Sequence, residues 1–383
     1  MTGVEMHEFI DAAAAASDAG LIALRRDIHR HPELAGGEQR TAGLVAERLR
    51  AAGLDVRTGV GGHGVVGVID GRPGDGPTLL YRADMDAVPT EQGGAHLCGH
   101  DLHTAIGVGI AETLARLRDR FAGRVVFAFQ PAEETLEGAR AMIDDGVLDA
   151  HPPREAYALH CAPLPVGVLA ALPGVGQPGQ DTCHFELSGP DAATTAARLL
   201  DGVGKLVTVT RPTSDDDYAA LFAAVQTPDG PLATFVFADV ELVATADPVT
   251  VDLWLRAWPE SRHAELRSQL ADLATEAGAT VTFPRPVFPA MVCSPELSDA
   301  GAAHLREDPG VAVMTMHAAW PFSGEDFALF LRRVPGAMFY LGVADPDAGL
   351  NGRPHAPDFG ADERAIGVGV RAMTGLLLHR LRV

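Results

Sequence analysis

The chain is short of basic side chains: 30 Lys and Arg stand against 51 Asp and Glu in 383 residues, a formal net charge of −21. That imbalance argues against nucleic acid or an anionic membrane surface as a partner, because both are held mainly by concentrated positive charge. Cysteine is scarce and dispersed, at Cys98, Cys161, Cys183 and Cys293, which is not the spacing of a disulfide-stapled scaffold. No apolar stretch approaches the roughly 20 residues that a membrane helix needs. The start, Met1-Thr2-Gly3-Val4-Glu5, has neither a basic region nor a long apolar run, so a cytoplasmic location is expected. Internal repeats are absent too. What remains is an apolar fraction of 47% in a chain long enough for two domains, suited to a compact small-molecule substrate.

Against that plain background, His96-Leu97-Cys98-Gly99-His100-Asp101-Leu102-His103 puts a thiol, three imidazoles and a carboxylate into eight residues. A deprotonated Cys and neutral His donate electron pairs to a divalent cation, and the mixture suits zinc and its neighbours. So few ligands in one loop imply a shell completed from elsewhere. His103 has the reach to be a ligand, or could instead orient this loop or cap the following helix. His29 and His31 are read as fixing a turn, because Pro32 interrupts the helix there.

Periodicity supplies the frame. Helix-like spacing runs from about Ala12 to Arg30, Glu38 to Ala52, and Thr104 to Arg118. Short β-rich runs lie at Val65 to Ile69, Thr78 to Tyr81, Arg124 to Phe129, Ala156 to Leu159, and Val166 to Leu172. This alternation predicts an α/β core with a mixed sheet. Strands at Phe185 to Ser188, Leu232 to Glu241 and Val249 to Ala257, with helices at Ala192 to Leu200 and Glu260 to Ala277, predict an inserted α+β domain over 183–290. Residues 1–182 and 291–383 would then form one discontinuous domain, its last elements near Ser323 to Arg332, Ala337 to Val343 and Ala365 to Leu381.

Four strand ends carry polar residues: Arg82-Ala83-Asp84-Met85-Asp86, Gln130-Pro131-Ala132-Glu133-Glu134, Leu159-His160 and Arg353-Pro354-His355. Ligands of open α/β sheets gather at the carboxyl ends of strands, so these groups are expected to converge on Cys98. In the pair Glu133-Glu134, one carboxylate can bind metal while the other faces water, which is the arrangement for hydrolysing an amide.

These segments, with His29-Arg30-His31-Pro32-Glu33-Leu34, Ser323-Gly324-Glu325-Asp326-Phe327 and His355-Ala356-Pro357-Asp358-Phe359, resemble the metal-dependent amidohydrolases of the aminoacylase/carboxypeptidase family. The resemblance is to the hippurate, N-acyl-amino-acid and auxin-conjugate hydrolase branch. It implies a metallo-exopeptidase-like catalytic domain with two divalent metal ions per subunit, manganese, zinc, nickel or cobalt. The implied ligands are Cys98, His100, Glu134, His160 and His355, with Glu133 as general base and Asp86 as the partner that orients the site.

The resemblance also makes the inserted domain a lid and dimerisation module, and so implies a homodimer. Here the sequence departs from its relatives. Ala193 stands where they carry an oxyanion-stabilising histidine, and Val243-Ala244-Thr245-Ala246-Asp247 lacks their asparagine. Arg256 remains as the candidate for a substrate carboxylate, and His184 or His263 could replace the lost histidine. The implied activity is hydrolysis of N-acyl amino acids or related conjugates. The departures leave two alternatives: a metal- or ligand-binding homologue with little turnover, or a dipeptidase or carboxypeptidase on the same scaffold.

Overall fold

Hydrophobic runs from the first half and from the end of the chain collapse into one large mixed sheet, in a computed structural model that describes residues 3–382 apart from 228, 231, 232, 246 and 309. Its strands are β1 (Asp55–Val60), β2 (Gly64–Asp70), β3 (Thr78–Asp84), β4 (Arg124–Gln130), β5 (Glu155–Pro165), β6 (Val168–Ala171), β7 (Ala312–Thr315) and β8 (Gly336–Ala344). The order across the sheet is β1-β2-β4-β3-β5-β8-β6-β7. β3 runs parallel to both β4 and β5, so Asp84 and Gln130 end side by side and the following loops emerge together at the carboxyl ends of these strands. β5 is longer than expected: it pairs with β8 through His160↔Tyr340 and on to Ala162↔Gly342, which puts His160 inside the strand rather than at its end.

Beneath the sheet lies α1 (His100–Arg116), in which every residue from His100 to Leu114 is buried. A helix buried all round needs small residues to admit its neighbours. A Cβ added at Gly107 would stand 2.9 Å from Phe129 and 3.1 Å from Ala83. The N-terminal helix expected over 12–30 is two helices, Gly3–Ala15 and Asp18–Arg30, interrupted where the buried Ser17 hydroxyl turns aside to Glu112.

The chain divides into two compact units, Met1–Pro173 with Cys293–Met316 and Leu329–Val383, and Gly174–Val292 with His317–Ala328. The boundary falls earlier than residue 183 because Gly179–Leu187 is one strand, paired along its whole length with Val249–Trp258. Residues 317–328 join the second unit by bringing Phe322 and Trp320 to Phe235 and Phe237. Its four-stranded sheet packs Phe185, Val251 and Leu253 against the helices Ala192–Gly204 and Arg262–Ala277. The edge strand Phe235–Ala244 begins later than expected, Leu232 lying outside the described residues, and exposes Val240, Leu242 and Val243. The helix expected from Ser323 to Arg332 is only Phe327–Leu331. Among the described residues no helix is long and apolar enough to cross a membrane.

Candidate metal centre

Cys98 and His100 are separated by Gly99, whose φ of 86° and contact with Cys161 explain why no side chain stands between them. A Cβ there would meet the Cys161 Sγ at 2.8 Å. The loop thus turns sharply into α1, and His100, in the first turn, is fully buried. Its Nδ1–H donates to the Asp86 carbonyl at 2.9 Å, so that in the neutral ring the electron pair is on Nε2. Nε2 faces Glu134 Oε1 at 3.6 Å and Glu133 Oε2 at 3.8 Å.

His160 is held in the same way: Nδ1–H donates to the Cys161 carbonyl at 2.8 Å while Nε2 lies 3.5 Å from Cys98 Sγ. His355 approaches from the far loop, its Nε2 3.5 Å from Glu134 Oε2. Its backbone N–H donates to the Leu97 carbonyl at 2.7 Å. Cys98, His100 and His160 offer ligand atoms within 4.8 Å of one another, as do Cys98, Glu134 and His355, and again His100, Glu133 and Glu134. The structure therefore brings together all five residues expected as ligands, with Glu133 beside them and Asp86 behind them.

Backbone strain concentrates here. Ala132, Leu136 and His355 adopt φ of 52°, 58° and 64° without being glycine. Such conformations cost on the order of 1–3 kcal/mol each and persist only where the surroundings over-determine them. The Glu133-Glu134 pair sits between two of them, tied by the Leu136 N–H to Glu133 carbonyl bond of 2.7 Å and by the Glu134 N–H to Asp86 Oδ2 bond of 3.0 Å.

The electrostatics favour positive charge at the centre. Burial, reinforced by Glu134, pushes the Cys98 thiol well up, and burial with Asp86 and Asp84 raises Glu134 to about 7. Burial opposes charge on His100 as well, yet Asp84 and Cys98 hold its proton well above the ordinary imidazole range. Among the described residues His100 Nε2 and Glu134 Oε1 have no hydrogen-bond partner although both are buried. Buried polar atoms are ordinarily satisfied, and a crowd of anionic and soft donors around such orphans is relieved by a cation. The donor set fits divalent metal.

His103 is different, because both its nitrogens are committed. Nδ1–H donates to Asp84 Oδ1 at 2.6 Å, and Nε2 accepts the Cys161 N–H at 2.8 Å. In the sequence the one signal for Asp84 is its alternation with Arg82 and Asp86 at a strand end. Asp84 is fully buried and accepts from Arg82 Nη1 at 2.5 Å. Burial alone would raise its pKa, but His100, His103 and Arg82 hold it well below the usual carboxylate range. Asp101, also buried, accepts from His29 Nδ1 and lies 2.7 Å from Arg25 Nε. His29, expected to fix a turn, instead stands in the last turn of the helix Asp18–Arg30 and reaches the helix that carries His100.

Other expected residues belong to the second unit. Arg256 lies on Val249–Trp258, and Ala193 is exposed in the first turn of Ala192–Gly204. His184 Nδ1 pairs with Asp252 Oδ1 at 2.5 Å, while His263 is buried on Arg262–Ala277. Asp247 accepts the Gly189 N–H at 3.1 Å, a turn contact, and Ala246 lies outside the described residues.

Comparison with known proteins decides the lineage. Residues 80–379 match Peptidase family M20/M25/M40. The chain belongs to this family. It is a metal-dependent amidohydrolase or peptidase with the mixed α/β fold of its relatives. It is 32% identical to a probable hydrolase of Synechocystis sp., over 91% of this chain and 93% of that protein. It is 29% identical to the N-acetyldiaminopimelate deacetylase of Shouchella clausii, over 93% and 97%. Among solved structures, the Bacillus subtilis YXEP protein, a dinuclear metal binding peptidase of the M20 family, superposes with a TM-score of 0.75 at 26% identity, covering 96% of this chain and 99% of that one.

Proposed function

We propose that this M20 enzyme hydrolyses the amide bond of N-acyl amino acids or related small conjugates, with Glu133 as general base and two divalent cations held by Cys98, His100, Glu134, His160 and His355. One observation carries the reading: the Cys98 thiol belongs to two separate groups of converging donors, one with His100 and His160 and the other with Glu134 and His355. A single thiolate is thereby able to serve two cations. Manganese, zinc, nickel and cobalt all suit this mixture of sulfur, nitrogen and oxygen donors.

Bound there, the cations supply Lewis acidity toward an amide carbonyl and a water. Glu133, buried beside His100, takes the proton from that water and returns it to the leaving nitrogen. Asp86 works behind the site, its carbonyl fixing the His100 tautomer and its carboxylate holding the Glu134 N–H. Arg256, in the second unit, is assigned the substrate carboxylate, for which a guanidinium is the matching donor. The deacetylase among the relatives acts on an N-acetyl amino acid, which favours the acyl-amino-acid reading. A homologue without turnover is not favoured by relatives named as hydrolases and deacetylases.

The test is release of free amino acid from a panel of N-acyl amino acids and their carboxamide analogues by protein loaded with manganese or zinc. Glu133→Gln should lower kcat by about 10²–10⁴-fold. Arg256→Ala should erase any preference for the free carboxylate over the carboxamide. No hydrolysis across the panel sinks the proposal, and preference for dipeptides over acyl amino acids shifts it to a peptidase.

A further inference from the structure

Glu38 is fully buried at the start of the helix Gln39–Ala51, although nothing in the proposed chemistry uses it. Its Oε1 accepts two backbone N–H groups, from Gly36 at 2.9 Å and from Ala132 at 2.8 Å. Ala132 is the left-handed residue directly before Glu133, with φ of 52°. Among the described residues the other oxygen, Oε2, has no hydrogen-bond partner. Leaving half of a carboxylate's accepting capacity unused in the interior costs free energy, and such a group calls for an explanation.

The segment around Glu38 is fastened to both acidic loops of the site. The Glu33 carbonyl accepts the Ala87 N–H at 2.8 Å, next to Asp86, and Leu34 forms a bridge with Ala87. The Glu33 carboxylate accepts the N–H groups of Arg40 and Thr41 at 2.8 and 2.7 Å, anchoring the helix that begins beside Glu38. Residues 33–38 are thus pinned at Ala87, the neighbour of Asp86, and reach across to Ala132.

We propose that Glu38 is a positioning residue: by holding the Ala132 N–H it keeps the strained turn that aims Glu133 at the reacting water and Glu134 at the metal. This rests on the assignment of Glu133 as base, and its consequence is geometric. A displacement of about 1 Å in a catalytic group can cost on the order of a hundredfold in rate.

The experiment compares Glu38→Ala, Glu38→Asp and Glu38→Gln in the full chain, with kcat, KM, bound metal and thermal midpoint measured for each. Glu38→Ala and Glu38→Asp, the latter keeping charge but withdrawing the acceptor by one methylene, should lose about 10- to 100-fold in kcat with KM little changed. Glu38→Gln, whose amide oxygen can accept both N–H groups, should restore kcat. Ala132→Gly should suppress part of the loss, since glycine adopts the left-handed conformation without strain. If Glu38→Ala does not fold, Glu38→Asp and Glu38→Gln decide alone. Wild-type kcat in Glu38→Asp, a loss confined to KM, or no rescue by a folded Glu38→Gln overturns the proposal. Should Glu133→Gln retain activity, the assignment of the base fails instead.

Discussion

Two groups of three histidines lie in the same unit, and only one is built as a site. His100, His103 and His160 have ring centroids 4.7 to 6.3 Å apart at mutual angles of 33° to 85°. Each has its Nδ1 committed, to the Asp86 carbonyl, the Asp84 carboxylate and the Cys161 carbonyl respectively. His7, His304 and His379 instead stack face to face, at 6.5 and 4.4 Å with interplanar angles of 10° and 15°. Their carboxylate neighbours stand off, Asp308 at 3.9 Å from His7 and Glu307 at 3.8 Å from His304. Histidine density is therefore not what makes a metal site. The company of the rings separates the two groups: Cys98, Glu133 and Glu134 converge on His100 and His160, and among the described residues no such set of donors gathers at His7, His304 and His379.

The hardest blow to the first group is Cys98→Ala. Its thiol is shared by both sets of converging donors, so the variant should bind fewer metal ions. Activity should drop by roughly a thousandfold, equivalent to about 4 kcal/mol of lost charge stabilisation. Metal content by elemental analysis, with turnover on the same sample, is the check. A full complement of metal and unchanged kcat would mean that the centre lies elsewhere.

Asp84→Asn probes the support rather than the ligands. Asp84 sits 3.8 Å from His100 Nε2 and accepts from His103 and Arg82. The amide can keep the His103 contact but removes the buried negative charge, so metal affinity should weaken by about 10- to 100-fold. Competition against a fluorescent chelator measures it. Affinity equal to that of the parent would show that the donors hold metal without this charge behind them.

These supports are also where the sequence is least readable. Cys98, His100 and the Glu133-Glu134 pair are legible because metal chemistry concentrates unusual residues in short motifs beside β-rich runs. The strand expected at Arg124 to Phe129 is there, one residue longer. His160 looks like a strand end only because Cys161 and Ala162 carry no strand signal of their own, and pairing with β8 extends the strand past it. Glu38 to Ala132, His29 to Asp101 and His103 to Cys161 are contacts across long stretches of chain. No local periodicity encodes such contacts, so the residues behind the ligands emerge only once the sheet has brought its loops together.

The stacked group yields the smallest effect, and one that does not depend on metal. Burial first, and then the neighbouring His379, lowers His304 to about 4. The unfolded chain, with an imidazole near pKa 6.5, binds the extra proton first as pH falls. The neutral ring's contribution is therefore complete above about pH 6.5 and is lost progressively toward pH 4. Between pH 7 and pH 5 that loss is on the order of 1 kcal/mol, after allowance for the ring's partial exposure. His304→Gln should be flatter in urea-unfolding stability over this range by that amount, with metal content and kcat unchanged. If His304→Gln instead loses metal, the stacked histidines are part of the centre and the distinction between the two groups collapses; if the slope is unchanged, His304 is not the group that titrates.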